Sequence, residues 1–114
     1  MKTELTLAVV TNIIDGDTID VLIDGVAERV RLIGIDSPER DEVGFDEATD
    51  FTRYQIKNVD NVVWLEESGD SRDRFGRLRR YVWLEKPNIR TDFKERAERL
   101  LNAKLIDNGH AIAW

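Results

Sequence analysis

Two short stretches far apart in the chain carry residue types that suit phosphate chemistry. The first, Asp36-Ser37-Pro38-Glu39, concentrates oxygen ligands and lies just after Arg31. The second, Asp73-Arg74-Phe75-Gly76-Arg77, places a guanidinium beside a glycine turn. With Asp15-Gly16-Asp17-Thr18 near the start, the chain offers carboxylates for a cation and arginines for a phosphate. This combination is typical of metal-assisted cleavage of a phosphodiester.

Asp17 and Asp36 are the candidate cation ligands, and Ser37 can add its backbone carbonyl. Ca²⁺ takes about six to eight oxygen ligands, so these groups with waters and a substrate phosphate would complete its shell. The pattern is not an EF-hand, because apolar Ile19 and Val26 stand where that loop needs oxygen ligands. Alone, an Asp-Gly-Asp-Thr sequence is more often an ordinary turn, so the metal prediction depends on the whole set.

Arg31 and Arg77 are the candidate phosphate-binding residues. A planar guanidinium matches two phosphate oxygens, and it cannot lose its proton. Glu39 is the candidate general base, which would take a proton from a water in line with the leaving oxygen. Each of these residues alone is more often a surface ion pair or an exposed turn acid, so this prediction also rests on the combination.

The spacing between Arg31 and Asp36 makes a prediction about the backbone. The two residues are five apart and would therefore lie on opposite faces of an unbroken strand. They can face one ligand only if Gly34 bends the strand or if Asp36 already lies in the turn fixed by Pro38.

Hydrophobic patterning predicts a mostly β domain of the α+β class. The predicted strands are Leu5–Val10 with Ile13-Ile14, Thr18–Ile23, Ala27–Ile35, Val62–Leu65 and Leu78–Leu84. Asp24-Gly25 is a strong hairpin signal between the second and third strands. One helix is predicted over residues 46–59 and a second from Thr91 to Asp107, where Asn108-Gly109 ends it. Five strands with a helix after the third are typical of a five-stranded Greek-key barrel of the oligonucleotide-binding (OB) type.

Length and composition restrict the possible classes of protein. The chain has 114 residues, which predicts a single domain over residues 1–114. It has no cysteine and one histidine, His110, which excludes disulfide frameworks, thiolate zinc sites and two-imidazole mechanisms; His110 is expected to be structural. The net charge is −6, but five arginines and one acid in residues 72–80 give a local charge of +4 that a polyanion could contact. No apolar run is long enough to predict membrane insertion.

From about Leu5 to its end, the chain resembles the staphylococcal (micrococcal) nuclease family, also called thermonuclease-like. Three segments carry the resemblance in the family's order and approximate spacing: Ile14-Asp15-Gly16-Asp17-Thr18, the run VRLIGIDSPE over residues 30–39, and Asp73-Arg74-Phe75-Gly76-Arg77. The predicted order of strands and helices is also that family's. The three-part signature is specific, whereas each part alone is weak.

The resemblance implies a Ca²⁺-dependent endonuclease that hydrolyses DNA and RNA phosphodiesters and leaves 3′-phosphates and 5′-hydroxyls. It implies Ca²⁺ ligation by the side chains of Asp17 and Asp36 and by the carbonyl of Ser37. The substrate would be single-stranded DNA or RNA, and the protein a monomer. The resemblance also implies secretion or surface attachment if a signal has been removed, and a cytoplasmic location otherwise.

The resemblance further assigns catalytic roles to three residues. Glu39 would activate or orient the attacking water, while Arg31 and Arg77 would hold the phosphate and stabilise its five-coordinate transition state. Arg74, Phe75 and Trp114 are the expected substrate-binding residues.

The chain departs from the family pattern at four places. Ser37 replaces a common threonine, which a carbonyl ligand tolerates. Phe75 replaces the usual tyrosine and so lacks one hydrogen-bond donor near a phosphate. The family typically continues past the position of Trp114 into a further helix, which this chain lacks, and residues 86–99 are longer than the usual turn before the second helix.

Two other functions fit part of the pattern. A non-catalytic module that binds nucleic acid or protein is favoured by the acidic net charge and by Phe75. It has no use for a general base at Glu39, which argues for the enzyme. A structural metal-binding domain without a polyanion partner would bind Ca²⁺ but would show no competition by nucleotides.

Overall fold

The computed structural model describes residues 5–87 and 93–113, and in residues 93 and 94 the backbone only. The predicted start of the second helix at Thr91 and the predicted substrate-binding residue Trp114 lie outside the described residues. None of the helices within the described part of the chain has the length and apolar character needed to cross a membrane.

The first three strands form an antiparallel meander. They are β1 (Leu5–Asp15), β2 (Thr18–Ile23) and β3 (Val26–Leu32). Asp24 and Gly25 join β2 to β3 with φ values of 49° and 80°. Positive φ at both central residues is the backbone that a two-residue hairpin requires, so the predicted hairpin is confirmed.

The first helix follows a short strand and packs across one end of the meander. The strand is β4 (Ile35–Asp36), and the helix is α1 (Phe45–Lys57), which begins after Gly44 in the left-handed conformation. Asp46 and Glu47 lie in its first turn, where negative charge favours the helix dipole. The helix buries Ala48, Thr49, Thr52 and Ile56.

Two further strands close the barrel. They are β5 (Val62–Arg72) and β6 (Leu78–Trp83), and the closed order is β1-β2-β3-β6-β5. The pairing of β3 with β6 that closes the barrel is parallel and only three residue pairs long. Val30 lies opposite Leu78, Arg31 opposite Arg79 and Leu32 opposite Arg80. The predicted five-stranded Greek-key barrel is confirmed. Its interior contains mostly branched aliphatic side chains, among them Ile19, Val21, Val30, Leu65 and Val82.

The second predicted helix is two helices, α2 (Phe93–Arg99) and α3 (Leu101–Asp107). The prediction of one continuous helix was wrong at Leu100, whose backbone is extended, with φ −93° and ψ 113°. Leu100 forms an isolated antiparallel bridge with Trp83, and the Leu84 N–H donates a 2.7 Å hydrogen bond to the Arg99 carbonyl. The break therefore exchanges helical hydrogen bonds for bonds to the end of β6.

Three strand boundaries also differ from the prediction. β1 continues to Asp15 and β5 to Arg72, whereas β3 ends at Leu32, before Ile35. A short strand β7 (Ile112–Ala113) pairs with β4 and forms a second, two-stranded sheet beside the barrel.

Candidate active site

Arg31 lies between two of the predicted metal ligands. Its Nη2 atom is 3.2 Å from Asp17 Oδ2 and 3.2 Å from Asp36 Oδ1, while Nη1 donates a 2.8 Å hydrogen bond to the Leu32 carbonyl. Because one nitrogen contacts both carboxylates, the two acids face the same small volume. Convergence of these three residues was predicted from the sequence, and the structure brings them together.

A break in the backbone makes this convergence possible. β3 ends at Leu32, and Gly34 turns the chain with a φ of 74° before β4 begins at Ile35. The Ile33 N–H donates a 3.0 Å hydrogen bond to the Arg80 carbonyl, which fixes the start of the turn. The prediction that the strand bends or ends between Arg31 and Asp36 is confirmed.

Asp17 is buried, with 5% of its surface exposed, and its carboxylate is contacted from several directions. Thr18 Oγ1 donates a 3.0 Å hydrogen bond to its Oδ1, and the Ser37 N–H donates a 2.9 Å bond to its Oδ2. The second bond ties the β1–β2 turn to the segment that follows β4. These donors fix the orientation of the carboxylate.

The turn that carries Asp17 packs directly against α1. A Cβ atom on Gly16 would come within 2.9 Å of Ser37 Cβ and 3.0 Å of Ala48 Cβ, so only glycine fits there without movement. Thr52 Oγ1 donates a 2.7 Å hydrogen bond to the Gly16 carbonyl. The helix thus sets the position of the turn.

Asp15 is a further acid at this turn. Its Oδ1 accepts a 3.1 Å hydrogen bond from the Asp17 N–H. Burial and then the neighbouring Asp17 carboxylate raise the pKa of Asp15 to about 6, and the backbone hydrogen bond only partly opposes this. The sequence motif contains Asp15, but the interpretation of the motif gave it no role.

Arg77 is fixed by its own turn. The Asp73 carboxylate accepts hydrogen bonds from Arg77 Nε at 2.7 Å, from the Arg77 N–H at 3.0 Å and from the Phe75 N–H at 2.9 Å. Gly76 completes the turn with a φ of 81°. Burial disfavours ionisation of Asp73, but these donors together outweigh it and hold the pKa of Asp73 below its ordinary value. Asp73 is therefore the positioning residue for Arg77, which the sequence analysis did not identify.

Two of the predicted substrate-binding residues lie beside Arg77. Phe75 is 69% exposed, and the guanidinium groups of Arg74 and Arg77 lie 4.9 Å and 5.3 Å from its ring centroid. These are cation–π distances. The side chain of Arg77 makes its polar contacts with Asp73 and does not touch Asp17 or Asp36. The pairing of β3 with β6 sets its position relative to these two acids.

Glu39 lies in the exposed segment between β4 and α1. Its N–H donates a 2.7 Å hydrogen bond to Glu42 Oε1, and its carbonyl accepts a 2.8 Å bond from the Glu42 N–H. Glu42 therefore holds the backbone at Glu39, a role that nothing in the sequence motif indicated. The Glu39 carboxylate makes no hydrogen bond or ion pair with the described residues.

A cleft of about 230 Å³ adjoins Asp36 and Ser37. It is lined by Asp36, Ser37, Pro38 and Glu42 on one side and by residues 109–112 on the other. His110 lies in that second wall, and its ring packs on Phe51 with centroids 4.7 Å apart. This packing agrees with a structural role for the histidine.

The donor set at the site suits a hard cation. Asp17 and Asp36 supply carboxylate oxygens facing one volume, and Ser37 follows Asp36 directly. Within residues 5–87 and 93–113, no group of three or more histidine, cysteine, aspartate or glutamate side chains is arranged to hold a metal. A cation here would therefore complete its shell with the Ser37 carbonyl, waters and substrate oxygens, which Ca²⁺ accepts.

Comparison with known proteins gives a consistent result. The staphylococcal nuclease homologue family matches residues 29–114. A thermonuclease of Staphylococcus hyicus is 41% identical over 83 residues, which cover 68% of this chain and 48% of that protein. A thermonuclease of Staphylococcus intermedius is 36% identical over 110 residues, which cover 91% of this chain and 57% of that protein.

A more distant relative is endonuclease YncB of Bacillus subtilis, 30% identical over 105 residues that cover 82% of this chain and 50% of that protein. The chain thus spans about half the length of the curated relatives it matches. The family match covers most of the chain and includes two of the three motifs, and the closed five-stranded barrel is the architecture expected of the family. This protein is accordingly a member of the staphylococcal nuclease family.

Proposed function

We propose that this domain is a Ca²⁺-dependent endonuclease that cleaves phosphodiester bonds of single-stranded DNA and RNA and leaves 3′-phosphate and 5′-hydroxyl ends. The observation that carries the proposal is the contact of Arg31 with both Asp17 and Asp36. It joins a cationic phosphate ligand to two carboxylates in one volume. The thermonuclease and endonuclease relatives support the same class of reaction.

Asp17, Asp36 and the Ser37 carbonyl are the residues that would hold Ca²⁺. The ion would supply positive charge beside the phosphate oxygens, where negative charge grows in the transition state. Asp17 is the best-fixed of these ligands because Thr18 and the Ser37 N–H orient both of its oxygens.

The two arginines act on the phosphate from fixed positions. The Asp73 carboxylate binds Arg77 through Nε, so both terminal nitrogens of Arg77 stay available to phosphate oxygens. Arg31 is 17% exposed and exchanges part of its carboxylate contact for the phosphate. Donors that are already oriented need no rearrangement during the reaction. Electrostatic stabilisation of the transition state by such donors is the largest single contribution to catalysis in sites of this kind.

Glu39 would accept a proton from the attacking water. The water oxygen bonds to phosphorus opposite the 5′ oxygen, and the bond from phosphorus to that 5′ oxygen breaks. The 5′ oxygen leaves with a proton from solvent, and the phosphate stays on the 3′ oxygen. The exposed Glu39 carboxylate, without a partner among the described side chains, is available for this role.

The test is cleavage of single-stranded DNA with Ca²⁺ by the parent protein and by Arg31→Ala, Arg77→Ala and Arg53→Ala. We expect the first two variants to lose about 10²–10³-fold in kcat, the usual effect of removing one charge-stabilising donor. Arg53 lies on α1 in an ion pair with Asp50, so its variant controls for the loss of one positive charge. Cleavage that persists in chelator, or that is equal in the Arg77 and Arg53 variants, would contradict the proposal.

A binding module without catalysis is the second candidate function. The exposed ring of Phe75 between two guanidinium groups is a stacking surface that such a module would use. The same assay separates the two functions, because a binding module retains oligonucleotides intact when Ca²⁺ is present.

A further inference from the structure

We propose that Arg79 binds a second phosphate of the substrate strand, one position away from the phosphate that is cleaved. This inference deepens the proposed function and rests on it, since it assumes a polyanionic substrate at Arg31. Arg79 belongs to none of the three motifs, and the sequence suggested only that it contributes to a local positive charge.

The register of the barrel places Arg79 beside Arg31. The two residues are direct partners in the parallel β3–β6 pairing. Their neighbours along the strands, Val30, Leu32 and Leu78, are 0–4% exposed and point into the barrel. Side chains alternate along a strand, so Arg31 and Arg79 share the outer face, on strands about 4.8 Å apart.

The side chain of Arg79 has no partner within the described part of the chain. It makes no hydrogen bond, ion pair or ring contact there, although it is half-buried. Its neighbours differ, since Arg72 pairs with Glu28, Arg77 with Asp73 and Arg80 with Glu67. A partly buried cation without a partner is unfavourable, and like charges directly opposite in a sheet repel.

Both costs disappear when a polyanion lies on this face. Arg31 is already engaged with the two acids of the candidate metal site, whereas Arg79 contacts neither of them. A strand whose scissile phosphate is held at Arg31 continues past the site with further phosphates. Arg79 is the next guanidinium on the face, and its long side chain matches a phosphate neighbouring the scissile one.

The first experiment measures the binding of two ligands by fluorescence anisotropy in the presence of Ca²⁺. They are a 5′-phosphorylated thymidine mononucleotide, with one phosphate, and the corresponding trinucleotide, with three. It uses Glu39→Gln as the parent so that the oligonucleotides stay intact, and adds Arg79→Ala, Arg79→Lys or Arg53→Ala. We expect Arg79→Ala to bind the three-phosphate ligand about tenfold more weakly, as for loss of one charge-assisted hydrogen bond. Affinity for the mononucleotide should stay within twofold.

The salt dependence identifies a phosphate contact. The slope of log affinity against log salt concentration should fall by about 0.7 in Arg79→Ala, since each neutralised phosphate of a single strand contributes about that amount. Arg79→Lys should restore most of the slope, and Arg53→Ala should leave it unchanged. An equal slope in the Arg79→Ala and Arg53→Ala variants would overturn the proposal, as would loss of the Arg79 effect on an abasic strand, which would indicate stacking on a base.

A kinetic measurement in the unmodified background separates this inference from the proposed function. Arg79→Ala should raise KM for a long single strand about tenfold and change kcat less than twofold, the signature of lost uniform binding. If the parent protein does not cleave, the proposed function fails, while the binding arm still decides the role of Arg79. If the parent cleaves and Arg79→Ala has the parent KM, only the role of Arg79 is wrong. Thermal unfolding of each variant checks that it is folded.

Discussion

At the scale of single residues, Ser37 serves the site through its backbone. Its N–H donates to Asp17, while its hydroxyl oxygen is buried and has no hydrogen-bond partner among residues 5–87 and 93–113. The hydroxyl lies against Gly16, where a Cβ atom would be 3.0 Å away from it. The Ser37 side chain therefore fills space beside Gly16.

We predict that the free energy of unfolding of Ser37→Ala equals that of the parent or exceeds it by up to about 1 kcal/mol. The substitution removes a buried hydroxyl that has no hydrogen-bond partner among the described residues. Its Ca²⁺ affinity should stay within twofold. The matched control is Thr52→Val, which removes a hydroxyl bonded to the Gly16 carbonyl and should cost about 1–3 kcal/mol. Urea unfolding and Ca²⁺ titration measure both effects, and a tenfold loss of Ca²⁺ affinity in Ser37→Ala would identify the hydroxyl as a ligand instead.

At the scale of elements, the site depends on how α3 is tied to the strands. Asn102 is 3% exposed, and its Oδ1 accepts a 3.0 Å hydrogen bond from the Val82 N–H. Its Nδ2 donates a 2.8 Å bond to the carbonyl of Ile33, which begins the turn between Arg31 and Asp36. One side chain on the helix thus anchors both β6 and the turn between Arg31 and Asp36.

We predict that Asn102→Ala lowers the free energy of unfolding by about 2–4 kcal/mol, because it removes the hydrogen bonds of the buried Val82 N–H and the partly buried Ile33 carbonyl. Its kcat should fall even under conditions where the variant is fully folded, since the turn at Ile33 is no longer held. Asn108→Ala is the control, as Asn108 is exposed and bonds only the helix-end carbonyl of Lys104. Urea unfolding and single-strand cleavage test this, and equal stabilities of the two variants would refute it.

Local signals predicted the elements whose causes are local. Asp24-Gly25 encodes its hairpin through positive φ, and the alternation in β2 and β3 follows from one buried face. The break at Leu100 could not be predicted, because it depends on a bridge to Trp83, which is distant in sequence. The β4–β7 pair is also long-range and has only two residues per strand, too few to produce a pattern.

The candidate site was predictable for a different reason. Its motifs name residue types that the chemistry needs, so Asp17, Arg31 and Asp36 could be grouped before any geometry was known. Two supporting residues could not be identified in this way: Asp73, which orients Arg77, and Asn102, which holds the turn at Ile33. Their importance comes only from the atoms they contact in the folded chain.

At the scale of the whole molecule, charge is strongly segregated. The net charge is −6, yet residues 72–80 carry five arginines and one acid. An acidic body repels nucleic acid except at such a patch, so affinity should be modest and sensitive to salt. A divalent cation bound at Asp17 and Asp36 would reduce the repulsion at the point where substrate enters.

We predict that Ca²⁺ at about 100 times its Kd stabilises the fold by about 2.7 kcal/mol and raises Tm by about 10 °C, because it binds the folded state alone. Asp17→Asn and Asp36→Asn should each remove most of the shift. Asp50→Asn, at an exposed acid on α1, should keep it. Calorimetry with Ca²⁺ and with Mg²⁺ measures the effect, and an equal Ca²⁺ shift in all three variants would show that the ion binds elsewhere.

Barrel closure and assembly of the two candidate phosphate-binding arginines are one event. The short parallel pairing of β3 with β6 carries Arg31 on one strand, and Arg77 directly precedes the other. A chain in which this pairing has opened keeps Asp17 and Arg31 in the meander of β1, β2 and β3 but loses the second guanidinium. Under the proposed function, turnover of a fluorogenic oligonucleotide reports whether β6 has docked on β3. It can follow refolding at protein concentrations far below those that spectroscopy requires.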